Sequence, residues 1–215
     1  MKNFLVIGMG KFGKHLALKL NSLGNNVIIV DKDQSIITEL SESFPNSYVG
    51  DCTKPSVLKS LGINNFDYCI VAIGESFQSS LEITAQLKVL NAKYIISKAN
   101  SEIQSKFLTL AGANEVVYPE KDIADKLAIR YNAENISDFI ELTDEYCIYE
   151  IGVSEWIGHK ISDLNIRNKY KINIIAVKHE DKSMAIPAAD YAFRKGDHIV
   201  VMGLKEDMVK LSKKA

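Results

Sequence analysis

Six residues near the start of the chain contain three glycines at a fixed spacing. Gly8, Gly10 and Gly13 fit the pattern G-x-G-x-x-G, and Lys11 and Phe12 lie between the last two. The pattern follows a short apolar run and precedes a helical one. In that setting the first glycine permits a tight turn, the second admits a pyrophosphate to the backbone, and the third allows close helix packing. The helix that follows directs unpaired N–H groups and a positive dipole end towards the phosphates.

A carboxylate ends the second apolar run, eighteen residues after the third glycine. At this place Asp31 can accept hydrogen bonds from both ribose hydroxyls, and its charge repels a 2′-phosphate. Together the two features predict a binding site for an adenosine with a pyrophosphate, a group that NAD, ADP and ATP share. They argue against NADP as the ligand. Asp33, two residues on, either belongs to this site or caps the next helix.

Further candidates lie where other predicted strands end, because open α/β sheets bind ligands at the carboxyl ends of their strands. Asp51 follows the third strand and either faces the adenine or begins the next helical region. Its neighbour Cys52 is either a packed thiol or a redox sensor. Lys98 ends the fifth strand and either approaches the phosphates or faces solvent. The fourth strand ends beside the same crevice with Ala72, Ile73 and Gly74.

Groups that could carry out a reaction are missing from the sequence. The four histidines have no metal-binding or nucleophile spacing, and the P-loop pattern GxxxxGK[ST] does not occur. A hydride-transfer enzyme also needs an acid or base beside the nicotinamide, and no such cluster is evident. We therefore expect a nucleotide-binding protein that is not an enzyme.

The elements that must position these residues alternate along residues 1–118. Strands are predicted at Phe4–Ile7, Val27–Val30, Tyr48–Val49, Tyr68–Ile73, Tyr94–Ser97 and Glu115–Val117. Helices are predicted between them at Lys11–Leu23, Gln34–Ser43, Pro55–Leu61, Ser79–Leu90 and Glu102–Leu110. This alternation requires βαβ crossovers and a parallel sheet covered on both faces. Residues 1–118 are therefore predicted to form a Rossmann-like, doubly wound α/β domain.

The pattern changes after residue 118. Because proline is well placed in a first helical turn, Glu120–Asn132 is predicted to be a helix, and residues 119–137 a crossover helix and linker. Residues 138–215 group their strands, which predicts a small α+β lobe. Its strands are Asp138–Leu142, Cys147–Val153, Ile172–Lys178, Ser183–Ile186 and His198–Met202, and its helices Ile161–Leu164 and Lys205–Leu211.

Composition limits the partners and the compartment. The 215 residues carry a net charge of -1 without a basic run, which argues against a nucleic-acid partner. No apolar run approaches the roughly 20 residues that span a bilayer, so direct membrane insertion is not expected. The first predicted strand begins at Phe4, so a signal peptide is not expected. Three cysteines, an odd number, predict free thiols in a reducing cytoplasm.

The whole chain resembles the RCK family, the regulators of K⁺ conductance, and within it the regulatory subunits of Ktr- and Trk-type potassium uptake. The resemblance rests on Phe4–Gly13, Tyr68–Gly74, Tyr118–Asp122, Leu164–Arg167 and Gly196–Gly203. It implies a cytoplasmic protein that lies at the inner face of the membrane through a Ktr/Trk-type pore subunit. It also implies dimers that stack into an octameric ring, whose shape differs between ATP and ADP.

The resemblance gives individual residues a role in nucleotide binding. It implies that Lys98 approaches the phosphates and that Asp51 lies near the adenine. Position alone makes Glu120 a first-turn carboxylate favoured by the helix dipole, whereas the resemblance implies that it holds Mg²⁺, Ca²⁺ or Na⁺ beside the nucleotide at the dimer interface. Lys11 stands where relatives carry an arginine that reaches the γ-phosphate of the neighbouring subunit's ATP, and lysine lacks that bidentate fork. The full set is Gly8, Gly10, Lys11, Phe12, Gly13, Asp31, Asp33, Asp51, Cys52, Ala72, Ile73, Gly74, Lys98 and Glu120.

In the C-terminal lobe the resemblance implies a cyclic di-AMP site at a dimer interface. Apolar side chains would sandwich the purines, Asn173 would read a base edge, and Arg167 would lie near a phosphate. The matching positions are Ile161, Arg167, Asn173, Ile174, Ile186 and Pro187. A plain hydrophobic dimer interface is the alternative. For the whole chain, the alternatives are an NAD(H) sensor or NAD-dependent oxidoreductase, and a scaffold that works without a ligand.

Overall fold

The computed structural model describes residues 1–132, 136–143 and 145–207, and it divides into two compact units, Met1–Glu120 and Lys121–Ala215. The predicted helix Lys205–Leu211 lies outside the described residues beyond residue 207, as do residues 133–135 of the predicted linker. Within the described ranges, no helix is both long and apolar enough to cross a membrane.

The first unit is the predicted Rossmann-like domain. Its parallel strands are β1 (Asn3–Ile7), β2 (Asn26–Asp31), β3 (Ser47–Val49), β4 (Tyr68–Val71), β5 (Ile95–Lys98) and β6 (Glu115–Val117). Its helices are α1 (Lys11–Ser22), α2 (Gln34–Leu40), α3 (Pro55–Leu61), α4 (Phe77–Val89) and α5 (Glu102–Leu110), and α6 (Pro119–Asn132) follows them. The two central strands, β1 and β4, are buried apart from their first residues because helices cover both faces of the sheet.

The strand order of this sheet is β3-β2-β1-β4-β5-β6. The chain runs outward from β1 to β3 and then returns to β4 on the other side of β1. At that reversal the loop after β1 and the loop after β4 leave the sheet towards its opposite faces. This opens a crevice at the carboxyl ends of the strands. The fold therefore places the glycine loop, which follows β1, at the edge of that crevice.

Two predicted boundaries near the crevice are wrong, and each has a local cause. We expected β4 to reach Ile73, but it ends at Val71 because its neighbour β1 already ends at Ile7 and offers no further pairing. We expected α4 to begin at Ser79, but it begins at Phe77 because Ser76 is its N-cap. The Ser79 N–H donates to Ser76 Oγ at 3.2 Å.

The second unit is the predicted small α+β lobe, and its sheet is antiparallel. Its strands are β7 (Ile136–Glu141), β8 (Tyr146–Gly152), β9 (Asn173–Lys178), β10 (Met184–Ala185) and β11 (His198–Leu204), in the order β10-β9-β11-β8-β7. One face buries the core, to which Phe139, Tyr149, Trp156 and Phe193 contribute. The short helices α7 (Ile161–Leu164) and α8 (Ile166–Tyr170) precede β9. The sequence pattern predicted α7 but not α8.

A buried carboxylate holds the segment before β11 in place. Asp197 is 4% exposed and accepts hydrogen bonds from Tyr191 Oη at 2.6 Å and from the Arg194 N–H at 2.8 Å, while His179 Nδ1 lies 2.9 Å from its other oxygen. Burial by itself would raise the pKa of Asp197, but the hydrogen bonds from Tyr191, His179 and Arg194 bring it below its ordinary value. The carboxylate is therefore ionised at neutral pH and fully bonded.

Candidate functional site

A crevice of about 370 Å³ lies at the carboxyl ends of β1, β2 and β4. Nine of the predicted nucleotide-site residues line it: Gly8, Gly10, Asp31, Asp33, Asp51, Cys52, Ala72, Ile73 and Gly74. Sequence reasoning missed several others that line it, notably Lys32, Ile36, Thr53, Glu75, Ser76 and Ser79. The sequence did hold a signal for the serines, since Ser76 precedes a helical pattern at an N-cap position.

The three glycines of the loop meet different surroundings. Gly8 has φ of +94°, and a Cβ there would lie 2.9 Å from Ile73 Cγ1. A Cβ on Gly13 would lie only 2.0 Å from the Gly8 carbonyl oxygen, so this glycine lets α1 pack against the loop. A Cβ on Gly10 would meet nothing within 4 Å, because it would point into open space before the first turn of α1. That open space is where a phosphate can reach the backbone.

Asp31 is held in place by the glycine loop itself. Its Oδ2 accepts a hydrogen bond from the Met9 N–H at 2.6 Å, and its Oδ1 accepts one from the Asp33 N–H at 2.9 Å. A carboxylate has about four acceptor positions, so both oxygens can still receive further donors. The carboxylate is thus fixed relative to the loop before any ligand arrives, with the capacity to bind two hydroxyl groups.

Two other acidic residues of the crevice, Asp33 and Asp51, are also fixed by local hydrogen bonds. Asp33 is the N-cap of α2, where it accepts from the Ser35 N–H at 2.8 Å and from Ser35 Oγ at 2.7 Å. Asp51 Oδ1 accepts from Thr53 Oγ1 at 2.7 Å and from the Thr53 N–H at 3.1 Å. These bonds lower the pKa of both carboxyls below the ordinary value. The capping role expected as one alternative for Asp33 is confirmed.

Cys52 is a packed thiol. It is 3% exposed, and burial raises the pKa of its thiol to about 12, with the charges of Asp51 and Asp31 adding to the rise. A redox sensor needs an accessible thiolate, and this thiol is neither accessible nor ionised. Next to it, the Thr53 carbonyl accepts a hydrogen bond of 2.7 Å from Gln86 Nε2 on α4. The segment 51–53 is therefore tied to the opposite wall of the crevice.

Lys98 and Glu120 are not among the residues that line the crevice, but they bind each other beside its wall at Gly74. Lys98 Nζ donates to Glu120 Oε1 at 2.7 Å, and the side chains are 11% and 60% exposed respectively. This hydrogen bond lowers the pKa of Glu120. The Lys98 ammonium also lies 3.4 Å from where a Cβ on Gly74 would stand, and 5.8 Å from the ring centroid of Phe12. The structure thus brings Lys98 beside the crevice wall.

The remaining predicted residues of the loop do not line the crevice. Lys11 is exposed in the first turn of α1, and Phe12 is half-buried and packs against the core on that side of the sheet. In the described part of the chain, no three His, Cys, Asp or Glu side chains lie close enough together to hold a metal ion. Glu120 within one chain therefore has Lys98 as its neighbour rather than a set of acidic ligands.

Five of the six predicted cyclic di-AMP residues meet around a hollow in the second unit. The hollow measures about 380 Å³ and lies beside α7, α8 and β9. The five are Ile161, Arg167, Asn173, Ile174 and Pro187. The sixth, Ile186, is 89% exposed and lines a neighbouring hollow that shares Pro187.

Comparison with known proteins shows the family. The TrkA-N domain matches residues 4–119, and the TrkA-C domain matches residues 149–215. Ktr system potassium uptake protein C of Bacillus subtilis (strain 168) is 36% identical over 214 residues, which cover 99% of this chain and 97% of that protein. The chain belongs to the RCK family, as a Ktr-type regulator. Ktr system potassium uptake protein A of the same organism is 36% identical to this RCK chain over 208 residues, 96% of the chain and 94% of that relative.

Solved structures agree with the RCK fold. The GsuK channel superposes with a TM-score of 0.71 at 22% identity over 98% of this RCK chain, which spans 38% of that longer chain. The isolated GsuK RCK domain superposes with a TM-score of 0.68 at 21% identity, over 99% of this chain and 47% of that one. At these identities the likeness shows the fold alone.

Proposed function

We propose that this RCK protein is the cytoplasmic regulatory subunit of a bacterial Ktr/Trk-type potassium transporter and that it senses ATP and ADP in the crevice of its first unit. One observation carries the proposal. The Met9 N–H of the glycine loop holds the Asp31 carboxylate at 2.6 Å, so a ribose-binding group and a phosphate-binding loop form one rigid unit.

The nucleotide would lie across the carboxyl ends of the strands. Its ribose hydroxyls donate to Asp31, and its phosphates lie before Gly10 and the first turn of α1. Its adenine lies against residues 51–53, where Asp51 accepts from the exocyclic amine. Lys98 reaches the phosphates past the crevice wall at Gly74. Because Asp31 and Asp33 place negative charge beside the ribose, a 2′-phosphate is disfavoured and NADP is a poor ligand.

Regulation needs no reaction at the nucleotide. ATP and ADP differ by one phosphate, and a ligand shifts a conformational equilibrium by as much as its affinity differs between the two states. The Bacillus relatives are potassium uptake proteins, and we propose that this chain likewise is not an enzyme. It would act as a dimer within an octameric ring at the inner face of the membrane, bound to a pore subunit. Residues 119–137 would link the nucleotide domain, residues 1–118, to the lobe formed by residues 138–215.

Two further ligands belong to the proposal. A cation, Mg²⁺, Ca²⁺ or Na⁺, would bind Glu120 together with the nucleotide and a second subunit. Cyclic di-AMP would bind the hollow lined by Ile161, Arg167 and Asn173, which offers both apolar walls and a cation for a phosphate. The NAD-bound structure of the GsuK channel, which shares the fold, makes NAD(H) the competing ligand to be tested in the crevice.

Calorimetric titrations of ATP, ADP and NADH into the full chain test the proposal directly. We expect saturable binding of ATP and ADP with one nucleotide per chain. Tight NADH binding without ATP or ADP binding would favour the NAD(H) alternative. Potassium uptake by cells that carry a pore subunit, with and without this chain, tests the regulatory role, and uptake that is identical in both would contradict it.

A further inference from the structure

We infer that Gln86 on α4 is a positioning residue for base recognition, which holds residues 51–53 so that Asp51 selects a purine with a 6-amino group. The inference rests on the proposed function, because it assigns base selectivity to the same nucleotide site. Its basis is the hydrogen bond of 2.7 Å from Gln86 Nε2 to the Thr53 carbonyl, which joins residues 33 apart in the chain.

The segment of residues 51–53 receives little support from the sheet. It follows β3, which has three residues and lies at the edge of the sheet, where it pairs with β2. The buried side chain of Cys52 anchors the segment in the core, and the Gly50 N–H donates to the Asp31 carbonyl at 2.8 Å. Gln86 adds a bond to the backbone of Thr53 from the opposite wall of the crevice, and this bond limits how far that peptide can turn.

Thr53 passes this restraint on to Asp51. The Thr53 N–H donates to Asp51 Oδ1 at 3.1 Å, and Thr53 Oγ1 donates to the same oxygen at 2.7 Å. One residue thus binds Gln86 through its carbonyl and Asp51 through its N–H and hydroxyl. Because both of these bonds end on Oδ1, Oδ2 keeps its capacity to accept an N–H of a 6-amino group. A purine that lacks the amino group offers that oxygen no donor.

Gln86 lies on the face of α4 that forms the crevice wall. Ser79 and Ile83 line the crevice, and Gln86 follows them at the spacing i, i+4, i+7. Its Oε1 is buried and has no hydrogen-bond partner among the described residues. An amide with a buried, unpaired oxygen is less favourable for packing than an apolar side chain of the same length. The contribution of Gln86 is therefore the bond that its Nε2 donates.

Two ligands that differ by one group measure the selectivity. ADP and purine riboside 5′-diphosphate, which carries hydrogen in place of the 6-amino group, are titrated by calorimetry into the full chain in the same buffer. The ratio of the two affinities reports recognition of the amino group, because a general loss of folding or of phosphate binding affects both ligands equally.

We expect the wild-type chain to bind ADP roughly tenfold or more tightly than the analogue, since a hydrogen bond to a charged group is among the stronger ones. Gln86→Met keeps the length of the side chain and removes the donor. It should lower the ratio about two- to tenfold, the range that one neutral hydrogen bond supplies.

The matched control is Gln78→Met. Gln78 is on the same helix, where its Nε2 donates to the exposed Glu82 Oε1 at 2.9 Å, and it does not line the crevice. Its substitution should leave the ratio at the wild-type value. Thr53→Val is a second variant, which removes the hydroxyl bond to Asp51 and leaves Gln86 in place. It should lower the ratio in the same direction as Gln86→Met.

A double-mutant cycle tests whether Gln86 acts through Asp51. Asp51→Ala should bring the ratio close to one, and adding Gln86→Met should not lower it further. A wild-type ratio in Gln86→Met, or a fall that Gln78→Met matches, would overturn the inference. A further fall when Gln86→Met is added to Asp51→Ala would overturn it as well.

The outcomes also separate the inference from the proposed function. A wild-type chain that binds ADP but does not distinguish it from the analogue overturns the inference and leaves the sensing of ADP intact. A wild-type chain that binds neither ligand overturns both.

Discussion

Alanine substitutions at two glycines of the same loop should have opposite effects on binding and on stability. In Gly10→Ala the new methyl group meets nothing within 4 Å, so the chain should fold as before. In Gly13→Ala the methyl group would lie 2.0 Å from the Gly8 carbonyl oxygen, far inside ordinary contact. The same chemical change, three residues apart, thus tests ligand binding at one position and helix packing at the other.

The magnitudes follow from these surroundings. Alanine is a poorer N-cap than glycine by about 0.5–1 kcal/mol, but it restricts the unfolded chain by a similar amount, so Gly10→Ala should change stability by less than about 0.5 kcal/mol. Its methyl group would deny the phosphates about two backbone hydrogen bonds. Each such bond to a charged group contributes about 1.5–3 kcal/mol, so ADP binding should weaken by at least roughly a hundredfold.

Gly13→Ala should instead destabilise the first unit. The loop and α1 must move apart by more than about 1 Å, and overpacking of this kind costs about 3 kcal/mol. For a chain of this size that corresponds to a fall in Tm of roughly 6–12 °C. Thermal unfolding without ligand measures the loss of stability in Gly13→Ala. Calorimetric titration with ADP measures the loss of binding in Gly10→Ala. A Gly10→Ala variant that binds ADP within about threefold of wild type would refute the assigned phosphate position, and a wild-type Tm for Gly13→Ala would refute the packing argument.

Three other predictions concern separate parts of the molecule. Lys11→Arg should raise the ratio of ATP to ADP affinity, because arginine binds a γ-phosphate with two parallel hydrogen bonds; an unchanged ratio in paired titrations would contradict this. Arg167→Ala should weaken cyclic di-AMP binding roughly tenfold or more, because it removes a charged partner of the phosphate. Lys169→Ala removes the same charge outside the hollow and should leave the affinity unchanged. Equal effects of the two substitutions would count against that site. Asp197→Ala should lower the free energy of unfolding at pH 7 by about 1–3 kcal/mol, since it leaves the part-buried Tyr191 hydroxyl and Arg194 N–H without their acceptor. Because the pKa of Asp197 is lowered in the folded state, its stabilisation is present above the unfolded value near 3.8 and is lost as pH falls through the folded value. Acid unfolding curves that match for wild type and variant would contradict this.

The sequence by itself determined the class of fold and the first half of the site. Alternating apolar runs and helical segments predicted the doubly wound sheet, since periodicity reports directly which face of each element is buried. The loop from Gly8 to Gly13 and the carboxylate of Asp31 were readable because one follows β1 and the other ends β2, and neighbouring strand ends share one edge of a sheet. These features depend on local sequence pattern and on a topological rule, so the sequence alone was enough to predict them.

Only the tertiary structure decided which distant side chains meet. Lys98 and Glu120 are 22 residues apart, and their ion pair depends on how β5 ends beside the first turn of α6. The bond from Gln86 to the Thr53 carbonyl, which spans 33 residues, and the burial of Cys52 likewise depend on how α4 packs across the sheet. Such contacts are set by distances between elements to within about an ångström, and neither propensity nor hydrophobic period carries that information. The glycine pattern was therefore visible in the chain, whereas the ion pair of Lys98 and Glu120 became visible only in the fold.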